Sequence, residues 1–125
     1  MNVSFVLSLL DVPEAEVKQR TYEILKDVGL EGMENRRPAR LSGGQQQRIA
    51  IARALVKRPQ IILADEPTAN LDSKTGEEIL KLMKRMNEKY GTTFIFSTHD
   101  KMVMEYASRL VQLHDGSIVS DERRQ

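Results

Sequence analysis

The sequence predicts an α/β fold with a parallel sheet and flanking helices, on three observations. Two short runs, Ile61-Ile62-Leu63-Ala64 and Thr93-Phe94-Ile95-Phe96-Ser97, show no polar alternation, as expected of parallel strands buried on both faces. These runs alternate with segments whose apolar residues recur at helical spacing. Strand, helix, strand, helix is the order of a parallel sheet with right-handed crossovers. Finally, both runs break off into polar residues, Asp65-Glu66-Pro67 and Thr98-His99-Asp100. Open α/β sheets bind ligands beyond the carboxyl ends of their strands.

Taken in order, the stretch from Pro13 to Val28 is an amphipathic helix with Val17, Thr21, Ile24, Leu25 and Val28 on one face. Asp11 is placed to cap its start and Gly29 to end it. Gly29 to Arg40 is polar and glycine-bearing, hence a loop. Ser42 opens a second helix with Gln45 three residues on, the spacing of a capping box. That helix carries Ile49, Ala50, Ala52, Leu55 and Val56 and stops before Pro59. A third helix runs from Ser73 to Tyr90 with Ile79, Leu82, Met83, Met86 and Tyr90 on one face and Gly91 as terminator. A short helix from Lys101 to Ala107 leads to Leu110-Val111-Gln112-Leu113. Asp115-Gly116 is a two-residue hairpin turn from which Ser117-Ile118-Val119 returns. There is no internal repeat and no low-complexity segment.

Composition bounds the function. With 125 residues the chain is one small domain or a piece of a larger one. Nineteen basic against 18 acidic side chains leave a net charge of +1, so no field steers the surface toward nucleic acid. Arg36, Arg37 and Arg40 read as a solvated face. The chain has no cysteine, which excludes disulfides, thiolate catalysis and cysteine-ligated metal. The apolar stretch from Val3 to Leu10 is far short of the roughly 18 residues that span a bilayer. No basic residue precedes it and no small-x-small pattern follows, so it is not a signal peptide. The chain reads as cytoplasmic.

Three segments can carry chemistry. Asp65 and Glu66 after a hydrophobic strand suit a magnesium ion and a base that activates water; an ordinary loop start is the alternative. His99 at the second strand end is, alone, more often structural. In Leu41-Ser42-Gly43-Gly44-Gln45-Gln46-Gln47-Arg48, two glycines at a helix start let backbone N–H groups approach an anion, while an ordinary capped helix explains Ser42 and Gln45 equally well. The combination decides between these alternatives.

Together the segments resemble the ABC ATPase family. Leu41 to Gln45 matches the signature LSGGQ, Ile61 to Asp65 the Walker B strand, and Glu66 the position of the catalytic glutamate. Ala69-Asn70-Leu71-Asp72 matches the D-loop and His99 the switch histidine. Order and spacing agree from about Asn2 to the end. The resemblance implies a partial P-loop NTPase fold, with 1–45 as part of the helical signature subdomain and 46–125 as the C-terminal part of the ATPase core. It implies ATP and Mg2+ as cofactors and a head-to-tail pairing with a second ATPase subunit that sandwiches the nucleotide. Leu41, Ser42, Gly43, Gly44 and Gln45 would face ATP held by the other subunit, and Asp72 would communicate across the dimer. Asp65 would fix magnesium through water, Glu66 would be the general base, and His99 would touch the γ-phosphate. Permease subunits would hold the protein at the cytoplasmic face of the inner membrane and do the export. Asp65 to Asp72 followed by Ser73-Lys74-Thr75-Gly76 resembles the branch serving lipoprotein release, macrolide-type export and cell division.

A complete family member also needs Gly-x-x-x-x-Gly-Lys-Ser/Thr to cradle the α- and β-phosphates. None of the seven glycines here, at positions 29, 32, 43, 44, 76, 91 and 116, precedes a lysine. Asn2-Val3 resembles the segment just after the glutamine loop, so the chain is expected to begin inside the helical subdomain. Two functions follow. The chain represents an ATP-hydrolysing transporter subunit whose N-terminal half lies elsewhere, or it is a non-catalytic orphan fragment that offers only the signature face.

Overall fold

The computed structural model describes residues 13–31 and 42–124. Helix α1 is Glu14–Asp27. Asp11 lies outside the described residues, and the residue in the cap position, Pro13, makes no side-chain cap. Glu14 and Glu16 in the first turn place negative charge against the helix dipole instead. The other end closes on a left-handed glycine, Gly29 at φ 80°. There the Leu30 N–H donates to the Leu25 carbonyl at 2.7 Å and the Gly29 N–H to that of Lys26 at 3.1 Å, the Schellman pattern. Leu25 and Leu30, whose contact seals such an end, are both buried. Arg48 adds a donor from the next helix, its Nη1 lying 2.8 Å from the Val28 carbonyl.

Helix α2, Gly43–Leu55, begins with both halves of the capping box formed between Ser42 and Gln45. It runs unbroken through position 45, across the expected subdomain division. Its buried face differs from the sequence reading: Ala50 is exposed, and Ile51 is inside beside Ile49, Ala52 and Leu55. The reason is that α2 packs against α1 and against α3 (Ser73–Tyr90), so its apolar surface is wider than one stripe. Helix α3 has Asp72 as N-cap and ends at Gly91, φ 70°, and it buries Ile79, Leu80, Leu82, Met83 and Met86. Tyr90, read as a core residue, is instead 37% exposed. It is the last residue of the helix, where its hydroxyl donates to Asp27, and Lys89 pairs with the same carboxylate at 2.6 Å. Partial burial, with the Asp27 hydrogen bond and charge, holds the phenol well above its ordinary range.

Strands β1 (Ile61–Asp65) and β2 (Thr93–Ser97) pair in parallel, in register from Ile61↔Thr93 to Asp65↔Ser97. Their entry is tied by Thr92, whose Oγ1 donates to the Pro59 carbonyl at 3.0 Å, and by the Thr93 N–H on the Gln60 carbonyl at 2.9 Å. Helix α4 (Lys101–Tyr106) follows. The chain then forms an antiparallel hairpin of β3 (Arg109–His114) and β4 (Ser117–Arg123). Its turn has positive φ at both Asp115 and Gly116, as the tight I′ turn requires.

Burial of β1 and β2 on both faces does not hold. Ile62, Ala64, Phe94 and Phe96 pack on the helical core, but Ile61, Leu63 and Ile95 on the opposite face are 56%, 76% and 50% exposed. The helices cover one side of this two-stranded sheet, and among the described residues nothing covers the other. Apolar side chains beside unpaired strand edges are a template for pairing with another chain. The 125-residue chain is therefore expected to be a dimer or larger assembly in solution. Light scattering over a concentration series checks this; a monomer at every concentration with a cooperative thermal transition would contradict it.

Candidate functional site

The site grows from the two strand ends. Parallel in-register pairing sets Asp65 beside Ser97, and the Ser97 hydroxyl donates to Asp65 Oδ1. The next residue, Glu66, turns the chain out of the sheet in the left-handed region at φ 46°. For a residue with a Cβ this conformation costs on the order of 1–3 kcal/mol and persists only where its surroundings over-determine it. They do so here through three hydrogen bonds. The Glu66 N–H donates to the Ser97 carbonyl at 2.8 Å, and its carboxylate accepts from Thr98 Oγ1 at 3.2 Å and the His99 N–H at 3.0 Å. The strain thus aims one carboxylate at the turn that follows β2.

A second bridge lies just behind. Thr68, buried, donates from Oγ1 to Asp100 Oδ2 at 3.1 Å. Asp100 Oδ1 caps α4 by accepting from the Met102 N–H at 2.9 Å. The structure therefore places Asp65, Glu66 and His99 at adjacent strand ends, where it is the His99 backbone that contacts Glu66, while its imidazole is on an exposed residue. Ser97, Thr98, Thr68 and Asp100 were missed. An Asp immediately before a short helix was the available signal for the last of them.

The start of α2 approaches this site from the side. Gln47 Nε2 donates to the Pro67 carbonyl at 2.9 Å, tying the helix to the loop after Glu66. A Cβ on Gly43 would meet Leu71 Cδ2 at 3.2 Å, and one on Gly44 would meet Thr75 Cγ2 at 2.7 Å. Gly44 is thus required by packing against the first turn of α3. Asp72 caps that same turn, its carboxylate accepting from the Thr75 N–H at 3.2 Å, and hydrogen bonding from Thr75, its side chain first and then its backbone, lowers the Asp72 pKa. Ser42, Gly43 and Asp72 are consequently exposed along one ridge where two helix starts meet, with Gln45 half-buried and Gly44 buried beneath them. Leu41, with Arg36, Arg37 and Arg40, lies outside the described residues.

The donor set is limited in what it could hold. Among the described residues no group of three or more histidine, aspartate or glutamate side chains converges as a metal cage. Asp65 remains as a single carboxylate at a strand end. Among the same residues no helix is long and apolar enough to cross a membrane.

Comparison with known proteins agrees with this geometry. The model of the family described as "ABC transporter" matches residues 2–69. The ABC transporter ATP-binding protein YtrE of Bacillus subtilis is 49% identical over 115 residues, covering 92% of this chain and 50% of that protein. Among solved structures, cbiO1 from Clostridium perfringens, part of the ABC transporter complex cbiONQ, superposes with a TM-score of 0.92 at 35% identity, covering 97% of this chain and 49% of the other. The ATP-binding cassette MJ0796 of Methanocaldococcus jannaschii, seen as a dimer in a post-hydrolysis state with ADP and Pi, has a TM-score of 0.73 at 47% identity, covering 91% and 50%. The chain thus spans about half the length of the relatives it matches. A family model that matches more than half of the residues, and cassettes that share the parallel sheet and its helices, lead to one conclusion: this chain belongs to the ABC transporter family, in its ATP-binding domain.

Proposed function

We propose that the chain is the C-terminal half of an ATP-hydrolysing subunit that powers export through a membrane permease. The observation that carries this reading is the convergence of Asp65, Glu66 and the His99 turn at the ends of adjacent parallel strands. In this reading Glu66 is the general base, taking a proton from the water that attacks the γ-phosphate, and His99 presents its exposed imidazole to that phosphate. Base catalysis by a carboxylate needs an acceptor held within reach of the water. The paired donors from Thr98 and His99 leave each carboxylate oxygen a further lone pair for it. Magnesium fits the donor set: it keeps most of its water and takes one or two carboxylates plus substrate phosphates, rather than an all-protein cage. Asp65 would hold it, and when bound it would neutralise phosphate charge.

Ser42, Gly43, Gly44 and Gln45, with Leu41 before them, form the signature face that contacts nucleotide on a second ATPase subunit. Asp72 on the same ridge is placed to sense that contact. The dimeric form of the MJ0796 cassette supports this arrangement. The division into a signature part, 1–45, and a core part, 46–125, belongs to this reading, as do the lipoprotein-release, macrolide-export and cell-division branch and a position at the cytoplasmic face of the inner membrane.

The lack of Gly-x-x-x-x-Gly-Lys-Ser/Thr within the 125 residues favours one further reading, a non-catalytic fragment that offers only the signature face. In both readings the 125-residue chain alone binds ATP weakly and does not hydrolyse it, because most phosphate donors lie in that motif. Isothermal titration checks this, and micromolar affinity with one site per chain would contradict it. Joined to a segment that carries the phosphate loop, the chain is expected to turn over ATP. No turnover there would leave the fragment reading.

A further inference from the structure

We infer that Thr98 is a positioning residue for the Glu66 carboxylate, fixed in that task by Asp100 and Thr68; its catalytic consequence rests on the reading of Glu66 as the base. Thr98 Oγ1 lies 3.2 Å from Glu66 Oε2 and accepts from the Asp100 N–H at 2.9 Å. A hydroxyl has one proton and two lone pairs, and an ionised carboxylate only accepts. With the Asp100 N–H on one lone pair, the single proton of Thr98 is directed to Glu66. The rotor has one useful setting.

Asp100 is itself immobilised from two sides. The Met102 N–H at the start of α4 donates to one of its oxygens and Thr68 Oγ1 to the other. Thr68 is 7% exposed and stands two residues beyond Glu66. The contacts therefore close a ring from Glu66 along the chain to Thr68, across to Asp100, and back through Thr98 to Glu66. The His99 N–H on Glu66 Oε1 makes the hold two-pointed. Such a hold is needed because the terminal torsion of a glutamate is broad, with no deep staggered wells. Orientation of the carboxylate must come from donors, and a misplacement of about 1 Å is enough to cost on the order of a hundredfold in rate.

The test uses an ATPase polypeptide that carries this chain together with a phosphate loop. Thr98→Val keeps the shape of the side chain and removes its hydroxyl. It is expected to lower kcat about tenfold, a change of ~1.4 kcal/mol in the barrier, with KM for ATP within twofold. Thr98→Ser restores the hydroxyl and is expected to recover kcat to within threefold. A Thr98→Val enzyme with unchanged kcat, or a loss that Thr98→Ser does not recover, overturns the inference. A second readout needs no activity. In thermal unfolding of the same ATPase polypeptide, Thr98→Val and Glu66→Ala are expected to be non-additive, since each removes the same contact; additive shifts overturn the contact. If the cycle is non-additive and the unsubstituted polypeptide does not hydrolyse ATP, the role of Glu66 as base fails while its hold by Thr98 stands.

Discussion

Glu66→Gln, in an ATPase polypeptide that carries this chain, is expected to lower hydrolysis more than a hundredfold while ATP affinity stays within about threefold. Glutamine matches the shape of glutamate and still accepts the His99 N–H hydrogen bond through its carbonyl oxygen, but it cannot take a proton from water. General bases contribute roughly 10²–10⁴ in rate, so the expected loss exceeds ~2.7 kcal/mol of barrier. Affinity is spared because the carboxylate is committed to Thr98 and His99. Single-turnover kinetics beside equilibrium ATP binding separates the two effects. Turnover within about tenfold of the unsubstituted enzyme, or ~1.4 kcal/mol, would show that Glu66 is not the base.

Leu82→Ala is expected to be the most damaging core substitution of comparable size. Leu82 is fully buried on the face of α3 that meets the common core, and removing such a side chain costs about 2–5 kcal/mol through lost burial and the remaining cavity. Small domains have only about 5–15 kcal/mol in total. This chain leaves Ile61, Leu63 and Ile95 exposed, which places it at the lower end of that range. Urea unfolding should show an unfolding free energy lowered by about 2–5 kcal/mol with a correspondingly lower midpoint, or no cooperative transition. Lys84→Ala, on the exposed side of the same helix, should change stability by less than about 0.5 kcal/mol. Equal effects from the two would mean that α3 is not packed as described.

The features legible from residues alone are local ones. The Ser42–Gln45 capping box spans four residues, Gly91 ends α3 by adopting a left-handed φ, and Asp115-Gly116 makes a tight turn for the same reason. Each depends on backbone geometry within a single turn, which side-chain type controls directly. The strand ends were legible too, because a short apolar run stopped by Asp65-Glu66 or by Thr98-His99-Asp100 has few other readings.

Burial went astray where it depends on what lies opposite. Ile51 is inside and Ala50 outside because α2 touches two helices, not one. Ile61, Leu63 and Ile95 are as apolar as their buried neighbours, and whether they are covered depends on another element being there. The sequence by itself determined the elements, the Ser42 cap, the Gly29 and Gly91 helix ends, the Asp115-Gly116 turn and the residue types at the strand ends. Only the tertiary structure decided that Thr98 and Asp100 meet Glu66 and Thr68 across 32 positions. The parallel register of β1 and β2 sets those two loops side by side, and no pattern within either loop encodes its distance from the other.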